Sequence, residues 1–163
     1  MTRSIAIVGS RTYPADAEFY DGLTEDKQAD LQIKGYQYVR EFMDKLEGGK
    51  RLTIVSGGAK GVDSWAEEIA TEKGFNVVVI RPNWKKFGKV AGFRRNTEIV
   101  MAADDVVAFW DQVSNGTYDS IKKAVEFKKD LMVFGNDGQL LMAFTQEDYE
   151  RDKPKLVIPK GVR

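Results

Sequence analysis

Four groups of glycine, hydroxyl and charged residues in this sequence could bind a small anionic ligand or act on it. They occupy residues 9–11, 56–63, 81–96 and 111–117, and each directly follows a short apolar run. Glycine amides and arginine side chains bind phosphate, hydroxyl groups bind sugars, and carboxylates serve as general acids or bases. Because the carboxyl ends of parallel strands meet at one edge of a sheet, we expect these groups to lie close together.

The composition restricts the chemistry that these residues can do. The 163-residue chain contains no histidine and no cysteine, which excludes Ser-His-Asp and Cys-His nucleophiles, disulfides and Cys/His zinc sites. The chain has 25 basic residues (Lys and Arg) and 25 acidic residues (Asp and Glu). This balance excludes a polybasic protein but allows a local basic patch. An enzyme of this composition works with carboxylates, hydroxyls, arginine, lysine and backbone dipoles. We expect no cofactor and no metal site.

The segment Ser56–Asp63, with the sequence SGGAKGVD, is the strongest of the four groups. Gly57 and Gly58 permit a tight turn, and Gly61 begins a predicted helix whose dipole favours an anion. The segment matches neither the Walker pattern nor GxGxxG, and the alternative is a turn that binds nothing. Asp63 either contacts a ribose hydroxyl or only stabilises the N-terminus of the helix.

A basic segment extends from Lys73 to Thr97 without any acidic residue. Its seven cations are Lys73, Arg81, Lys85, Lys86, Lys89, Arg94 and Arg95, and Trp84, Phe87 and Phe93 are interleaved with them. This mixture suits a nucleobase and a phosphate, or a single-stranded nucleic acid. The alternative is a solvated loop with its aromatic side chains in the core, and for Lys85 and Lys86 it is the favoured interpretation. We expect at least one of Arg94, Arg95 and Asn96 to point into a cleft.

The segment Asp111–Thr117 (DQVSNGT) begins another predicted helix. Ser114, Gly116 and Thr117 offer hydroxyls and amides to a second phosphate or a sugar. An ordinary N-cap is the alternative, and it is compatible with ligand binding. Asp111, at the end of a predicted strand, is a candidate catalytic carboxylate.

These groups need a scaffold that brings strand ends together, and the sequence predicts one. Apolar runs predict strands over 4–8, 52–55, 77–80, 106–110 and 131–134, and an Asn-Asp-Gly turn predicts a hairpin that leads to 140–144. Helical spacing predicts helices over 31–46, 62–73, 97–103 and 117–129, the third of them starting a few residues before 97. Residues 14–30 are expected to form a long loop that can include a short helical turn, and the segment before residue 93 is expected to be irregular. The predicted fold is α/β: a single doubly wound Rossmann-like domain, with a mostly parallel sheet, helices on both faces and a C-terminal hairpin.

Four motifs in order along the chain resemble one known protein group. They are IAIVGSR, IVSGGAKGVDSWAEEIA, VIRPNWKKFGKVAGFRRNTEIV and VVAFWDQVSNGTYDSIKKA. They resemble the YspA/YpsA-related group of the SLOG superfamily of Rossmann-like proteins, over roughly residues 4–133. The superfamily also holds the lonely-guy phosphoribohydrolases, the Smf/DprA DNA-processing proteins and a TRPM-channel sensor domain. The resemblance implies binding of nucleotides or nucleotide-derived ligands, in a group frequent in phages and mobile elements.

The resemblance also implies a set of site residues. The expected ligand-binding residues are Gly9, Ser10, Arg11, Ser56, Gly57, Gly58, Gly61, Asp63, Asn83, Trp84, Asn96, Ser114, Gly116 and Thr117. The expected catalytic residues are Asp119, Asp111, Arg94 and Arg95, the arginines standing where lonely-guy enzymes have their active-site arginine.

The sequence departs from the lonely-guy enzymes at their PGGxGTxxE motif. Gln112-Val113-Ser114 replace the Pro-Gly-Gly, and Ser120 stands at the glutamate position. Asp119 is one residue early, which on a helix turns its side chain by about 100°. The motif therefore has no carboxylate at the glutamate position, and Asp119 and Asp111 are the candidates for a catalytic carboxylate.

The expected function is nucleotide binding, with hydrolysis of the N-glycosidic bond of a nucleoside 5′-monophosphate as the expected reaction. A non-catalytic sensor or sequestering protein for a nucleotide signal is the alternative. Binding of single-stranded DNA is a lesser alternative and nucleic acid is not an expected partner, because a net charge of +0 disfavours a broad phosphate-binding face.

The assignment of domains, partners and compartment follows the same lines. Residues 1–146 are expected to form the SLOG-type nucleotide-binding domain and 147–163 a charged peripheral tail. A homodimer or higher homo-oligomer is expected, with a face around Tyr36, Tyr38 and Phe42. No signal segment or membrane span is apparent, so we expect a cytoplasmic protein without membrane contact.

Overall fold

Strands and helices alternate along the chain, in a computed structural model that describes residues 2–151. The strands are β1 (Arg3–Gly9), β2 (Leu52–Ser56), β3 (Asn76–Val79), β4 (Asp105–Phe109), β5 (Asp130–Phe134) and β6 (Leu140–Phe144). The helices are α1 (Ala17–Asp21), α2 (Glu25–Met43), α3 (Val62–Glu72), α4 (Trp84–Phe87), α5 (Ala91–Ala102), α6 (Asn115–Glu126) and α7 (Gln146–Arg151). Single turns of 3₁₀ helix occur at Gly49–Arg51 and Gly88–Val90.

The strands form one sheet in the order β3-β2-β1-β4-β5-β6. The first five are parallel to their neighbours, and β6 returns antiparallel to β5 as the predicted C-terminal hairpin. This arrangement confirms the predicted α/β fold with a doubly wound, mostly parallel sheet. The strand order reverses between β1 and β4, which opens a crevice at their carboxyl ends.

Helices cover both faces of the sheet. The core on one face packs α2 and α3 against the sheet, and Met43 and Ile69 meet Ile7 there. The core on the other face packs α5 and α6, and Ile99 and Ile121 are buried with the neighbouring residues of the strands. Successive residues of β1 alternate between the two cores, so the strand must be apolar almost throughout.

The aromatic residues expected to form a dimer face pack inward instead. Phe42 contacts the rings of Phe109 and Phe134, and Tyr36 meets Trp65 edge-on. All of the expected residues, Tyr38 included, are half-buried against the core under α2. The proposed face is therefore a packing surface within the chain, and the expected homo-oligomer stays a prediction.

Two predictions about local structure are wrong. The long loop predicted over 14–30 contains α1, which agrees with the short helical turn allowed there, but it also contains the beginning of α2, which starts at Glu25 rather than at Leu31. The side chain of Thr24 accepts a hydrogen bond from the amide of Lys27 and caps this helix. The segment predicted as irregular up to Phe93 contains α4 and the first turn of α5, which begins at Ala91.

The C-terminal segment was predicted to be a charged peripheral tail over 147–163. Residues 147–151 belong to α7, and residues 152–163 lie outside the described residues. In the described part of the chain, no helix combines the length and the apolar character needed to cross a membrane.

Candidate functional site

A cavity of about 320 Å³ opens at the carboxyl ends of β1, β2 and β4. We call it the central cavity. Its polar and glycine lining consists of Gly9, Ser10, Arg11, Gly57, Asp63, Lys89, Gly92, Arg95, Asn96, Ser114, Gly116, Thr117 and Ser120. The aromatic residues Trp84 and Phe93 also line the cavity. The structure thus brings together residues from all four groups predicted from the sequence.

The loop after β1 joins two neighbouring elements of the site. A Cβ atom on Gly9 would lie 2.5 Å from Cγ2 of Val62, so glycine is needed where β1 ends against α3. Ser10 is buried, and its Oγ accepts a hydrogen bond of 3.3 Å from the amide of Asp111. The exposed Arg11 lines the central cavity. Gly61, which begins α3 with a φ of 79°, leaves no room for a Cβ against the carbonyl of Arg11.

The glycine loop after β2 folds around its own acceptors. The amide of Gly58 donates to Oγ of Ser56 at 3.3 Å, and the amide of Ala59 donates to Oδ2 of Asp63 at 3.2 Å. Ser56 is fully buried, and its hydroxyl donates to Oε2 of Glu67 at 2.7 Å. The amides of Gly58 and Ala59 therefore have partners within the loop, and phosphate binding by this loop stays a prediction.

Two arginines hold the outer side of the same loop. Nη1 of Arg95 donates to the carbonyl of Gly57 at 2.7 Å, and Nη1 of Arg81 donates to the carbonyl of Gly58 at 3.1 Å. A Cβ on Gly58 would lie 2.6 Å from that Nη1, and the φ of Gly58 is +72°. Glycine is required here both by the left-handed backbone and by the close arginine.

Among the described residues, Asp63 is the one acidic residue that lines the central cavity. It is 6% exposed, and this burial raises its pKa from 3.8 to about 7. The amide of Ala59 and the charge of Arg95 oppose the rise, while the nearby Glu67 adds to it. Burial in turn lowers the pKa of Arg95. A carboxyl group with a pKa near neutrality can give or take a proton in the cavity.

The predicted catalytic carboxylates lie elsewhere. Oδ2 of Asp119 forms a 2.7 Å ion pair with Lys123 and accepts a 3.1 Å hydrogen bond from Asn96. Oδ1 of Asp111 accepts the amides of Val113 and Ser114 at 2.9 and 2.7 Å. Asp111 lines a cavity beside α1 that shares Ser10, Arg11 and Ser114 with the central cavity. Both side chains hold the loops and helices around the site, and neither lines the central cavity.

Three further predicted residues have structural contacts. Arg94 is exposed, and its guanidinium lies 4.0 Å above the ring of Phe87, outside the central cavity. Asn83 caps α4 by accepting the amide of Lys86 at 3.0 Å. Asn96 is buried and links α5 to α6, because its Nδ2 donates to the carbonyl of Gly116 at 3.2 Å.

The N-terminus of α6 forms one wall of the central cavity. Ser114, Gly116 and Thr117 line it there, and α6 begins without a side-chain cap. A Cβ on Gly116 would have no atom within 4 Å, so this wall faces open space. The sequence reasoning left out Ser120 as a site residue, although it is buried one turn further along and also lines the cavity. Its position four residues after Gly116 is the signal that could have found it.

Lys89 and Phe93 were not assigned to the site from the sequence, yet both line the central cavity. Both belong to the basic, aromatic segment, which was the available signal. Trp84 lies on the same side, and its side chain is 60% exposed although it is large and apolar. An exposed aromatic side chain at the mouth of a cavity is suited to stacking against a flat ring.

Comparisons of the sequence with known proteins find a matching family and a phage relative. A sequence profile of the YspA, cpYpsA-related SLOG family matches residues 29–87. The chain is also 37% identical over 140 residues to the Gene 61 protein of Mycobacterium phage D29, a match that covers 82% of this chain and 98% of that protein.

Comparisons of the structure show the same fold in proteins of 20% sequence identity. DNA processing protein A (DprA) of Streptococcus pneumoniae matches with a TM-score of 0.59 over 84% of this chain, which spans 53% of that chain's length. DprA of Helicobacter pylori, whose structure is described for its single-stranded DNA binding mode, matches with a TM-score of 0.53 over 94% of this chain and 74% of its own. The protein TM1055 matches with a TM-score of 0.51 over 80% of this chain and 72% of its own.

Proposed function

Because this chain belongs to the YspA, cpYpsA-related SLOG family, we propose that it binds a nucleotide or nucleotide-derived ligand in the central cavity. The cavity lies at the crevice where the strand order of the sheet reverses, the usual ligand position in open α/β folds. Its volume of about 320 Å³ is within the range of small-molecule sites.

The observation that carries this proposal is the uncapped N-terminus of α6. The first amides of a helix have no acceptor within the helix, and the helix dipole makes that end attractive to an anion. No side chain accepts a hydrogen bond from the first amides of α6, and Gly116 and Thr117 line the cavity. Lys89 and Arg95 add positive charge to the same cavity. A phosphate group fits this wall, and the exposed Trp84 offers a surface for the base.

A matched pair of variants at Gly116 tests the proposal. Gly116→Asp places a carboxylate at the wall of the cavity without steric conflict, since a Cβ there has no atom within 4 Å. Aspartate also suits the first turn of a helix, so we expect the fold to be kept. Isothermal titration calorimetry with a panel of nucleoside 5′-monophosphates should show that Gly116→Asp loses at least tenfold in affinity, because two anions then compete for one end of the helix.

Gly116→Ala is the control, because it adds the same Cβ without the charge. It should bind within about threefold of the unmodified protein, since no neighbour is displaced. Absence of binding to every monophosphate of the panel would contradict the proposal. Equal affinities of the Asp and Ala variants would move the phosphate away from α6.

Hydrolysis of the N-glycosidic bond is a second candidate function, favoured by the pKa of about 7 of Asp63. In its ionised form this carboxylate can take a proton from a water molecule whose oxygen bonds to the anomeric carbon. The C–N bond then breaks, the base leaves with the electron pair, and the proton can pass from Asp63 to the base. Asp111 and Asp119 border the central cavity without lining it, and their carboxylates are engaged by loop amides and by Lys123, so this candidate depends on Asp63.

Asp63→Asn separates catalysis from binding. The amide oxygen of asparagine can still accept the hydrogen bond from the amide of Ala59, so the loop should keep its shape. Chromatography of a long incubation should show free base and sugar phosphate with the unmodified protein, and turnover reduced at least a hundredfold in the variant. If the unmodified protein binds a nucleotide and returns it intact, the protein is a sensor or sequestering protein and the hydrolysis candidate is wrong.

A further inference from the structure

A third cavity, of about 500 Å³, adjoins the central cavity on the side of β3. We call it the arginine cavity. It is lined by Arg11, Gly57, Gly58, Ala59, Arg81, Pro82, Trp84 and Arg95. Five of these residues, namely Arg11, Gly57, Ala59, Trp84 and Arg95, also line the central cavity. The two cavities therefore have a common wall, and one ligand can reach both.

The arginine cavity has a charge that the protein does not balance. Three guanidinium groups line it and no carboxylate does. Among residues 2–151, no carboxylate oxygen lies within 4.0 Å of the guanidinium nitrogens of Arg11, Arg81 or Arg95. The nearest compensation is the longer-range attraction between Arg95 and the buried Asp63. Converging cations in a concave surface favour an anionic ligand.

The backbone of the glycine loop after β2 holds the side chain of Arg81 in a position to bind an anion. Its Nη1 donates to the carbonyl of Gly58 at 3.1 Å and lies against a glycine that has no Cβ to displace it. A guanidinium has five N–H donors, so one hydrogen bond to a carbonyl leaves others for a ligand. The side chain is exposed, and its remaining donors can reach a phosphate in two-point contact.

Trp84 gives the two cavities a shared aromatic wall. Its ring is 60% exposed and borders both. A base or ribose placed against this ring would leave one phosphate at α6 and a second within the arginine cavity. A ligand with a single phosphate would use only one of these two positively charged positions.

We propose that the arginine cavity binds a second phosphate group, and that the ligand is a nucleotide carrying at least two phosphates. This inference rests on the proposed function, because it places the first phosphate in the central cavity. The second phosphate can belong to a diphosphate chain, to the other end of a ribose, or to a neighbouring nucleotide of a dinucleotide. All three have the same chemistry at Arg81, and the experiment distinguishes them.

Calorimetric titrations with matched ligands test the inference. The probes are the best-bound nucleoside 5′-monophosphate of the panel, its 5′-diphosphate, its 3′,5′-bisphosphate and its 5′-phosphorylated dinucleotide. At least one of the last three should bind roughly tenfold more tightly than the monophosphate, as an added charge-assisted contact predicts. In Arg81→Gln this gain should disappear while the affinity for the monophosphate stays within about twofold.

Lys85→Gln is the matched control, because it removes one exposed positive charge from the same segment and lines neither cavity. It should keep the gain from the second phosphate, and circular dichroism should show that both variants are folded. The inference is wrong if none of the three probes binds more tightly than the monophosphate, or if Arg81→Gln weakens all four probes equally. Binding of none of the four would instead contradict the proposed function itself.

Discussion

Asp63 connects the chemistry of the site with the stability of the fold at the scale of one residue. Its burial raises its pKa from 3.8 to about 7, so the folded protein holds a proton that the unfolded chain releases. The charges that face it are the guanidinium of Arg95, which favours ionisation, and the carboxylate of Glu67, which opposes it. The same burial that could make this acid useful in the cavity therefore costs stability once the group is ionised.

The sign of this linkage gives a testable pH dependence. Between pH 4 and pH 7 the folded state binds more protons at this position than the unfolded state, so the contribution of Asp63 to the free energy of unfolding falls as the pH rises. Asp63→Asn removes that titration. Chemical denaturation at pH 5 and pH 8 should show that the variant gains stability relative to the unmodified protein at the higher pH. An unchanged difference between the two proteins across this range would show that Asp63 ionises in the folded state as it does in water.

Single positions also show where sequence reasoning reaches its limit. Gly57, Gly116 and Thr117 were expected in the site and line the central cavity, because each lies at a strand end or at a helix start. Arg95, in the second turn of α5, was also expected in the site and lines this cavity. Arg94 and Asp119, one position away from Arg95 and Ser120, turn to other partners. Moving one residue along a helix turns the side-chain direction by about 100°. A sequence motif alone does not say which side of the helix faces the cavity, so it does not determine which of two neighbouring residues points there.

At the scale of elements, the apolar strands and the starts of α3 and α6 were predicted within about two residues, and the polar start of α2 was not. The central strands are buried and read as apolar runs, and the more exposed edge strands β3 and β6 are apolar as well. All six strands appear within one or two residues of their predicted positions. The first turns of α2 consist largely of charged residues that face water, so they carry no hydrophobic period. The cap at Thr24 and the acidic Glu25 and Asp26 were the available signal for this helix start.

The segment between β3 and α5 was misread for a related reason. Asn83 caps the single turn of α4, and Gly88, with a φ of 56°, ends it before the chain enters α5. The turn of α4 carries Trp84, and the 3₁₀ turn Gly88–Val90 carries Lys89. Both residues line the central cavity together with Gly57 of the loop after β2. Tertiary contacts across the crevice, such as Arg95 with Gly57, determine this shape, and the local sequence does not contain them.

Charge is distributed unevenly at the scale of the whole molecule, although the net charge is +0. The acid-free segment 73–97 supplies Arg81, Lys89 and Arg95 to the two cavities, while six carboxylates lie between residues 14 and 30. The segment therefore contributes three of its seven cations to the crevice at the carboxyl ends of the strands. The structural likeness to the DprA proteins shows a shared fold at 20% identity and leaves the ligand open.

This distribution predicts how the protein treats single-stranded DNA. Each phosphate contact releases bound counterions, so the slope of log K against log salt concentration is about −0.7 for each phosphate bound in a single strand. Since the two cavities are proposed to bind about two phosphates, we expect an oligothymidylate of about twenty nucleotides to bind with a slope of roughly −1 to −2 in fluorescence anisotropy. The best nucleotide of the panel should displace it, because both need the central cavity. A slope steeper than about −4, or an oligonucleotide that stays bound under saturating nucleotide, would reveal a broad nucleic-acid surface outside the crevice.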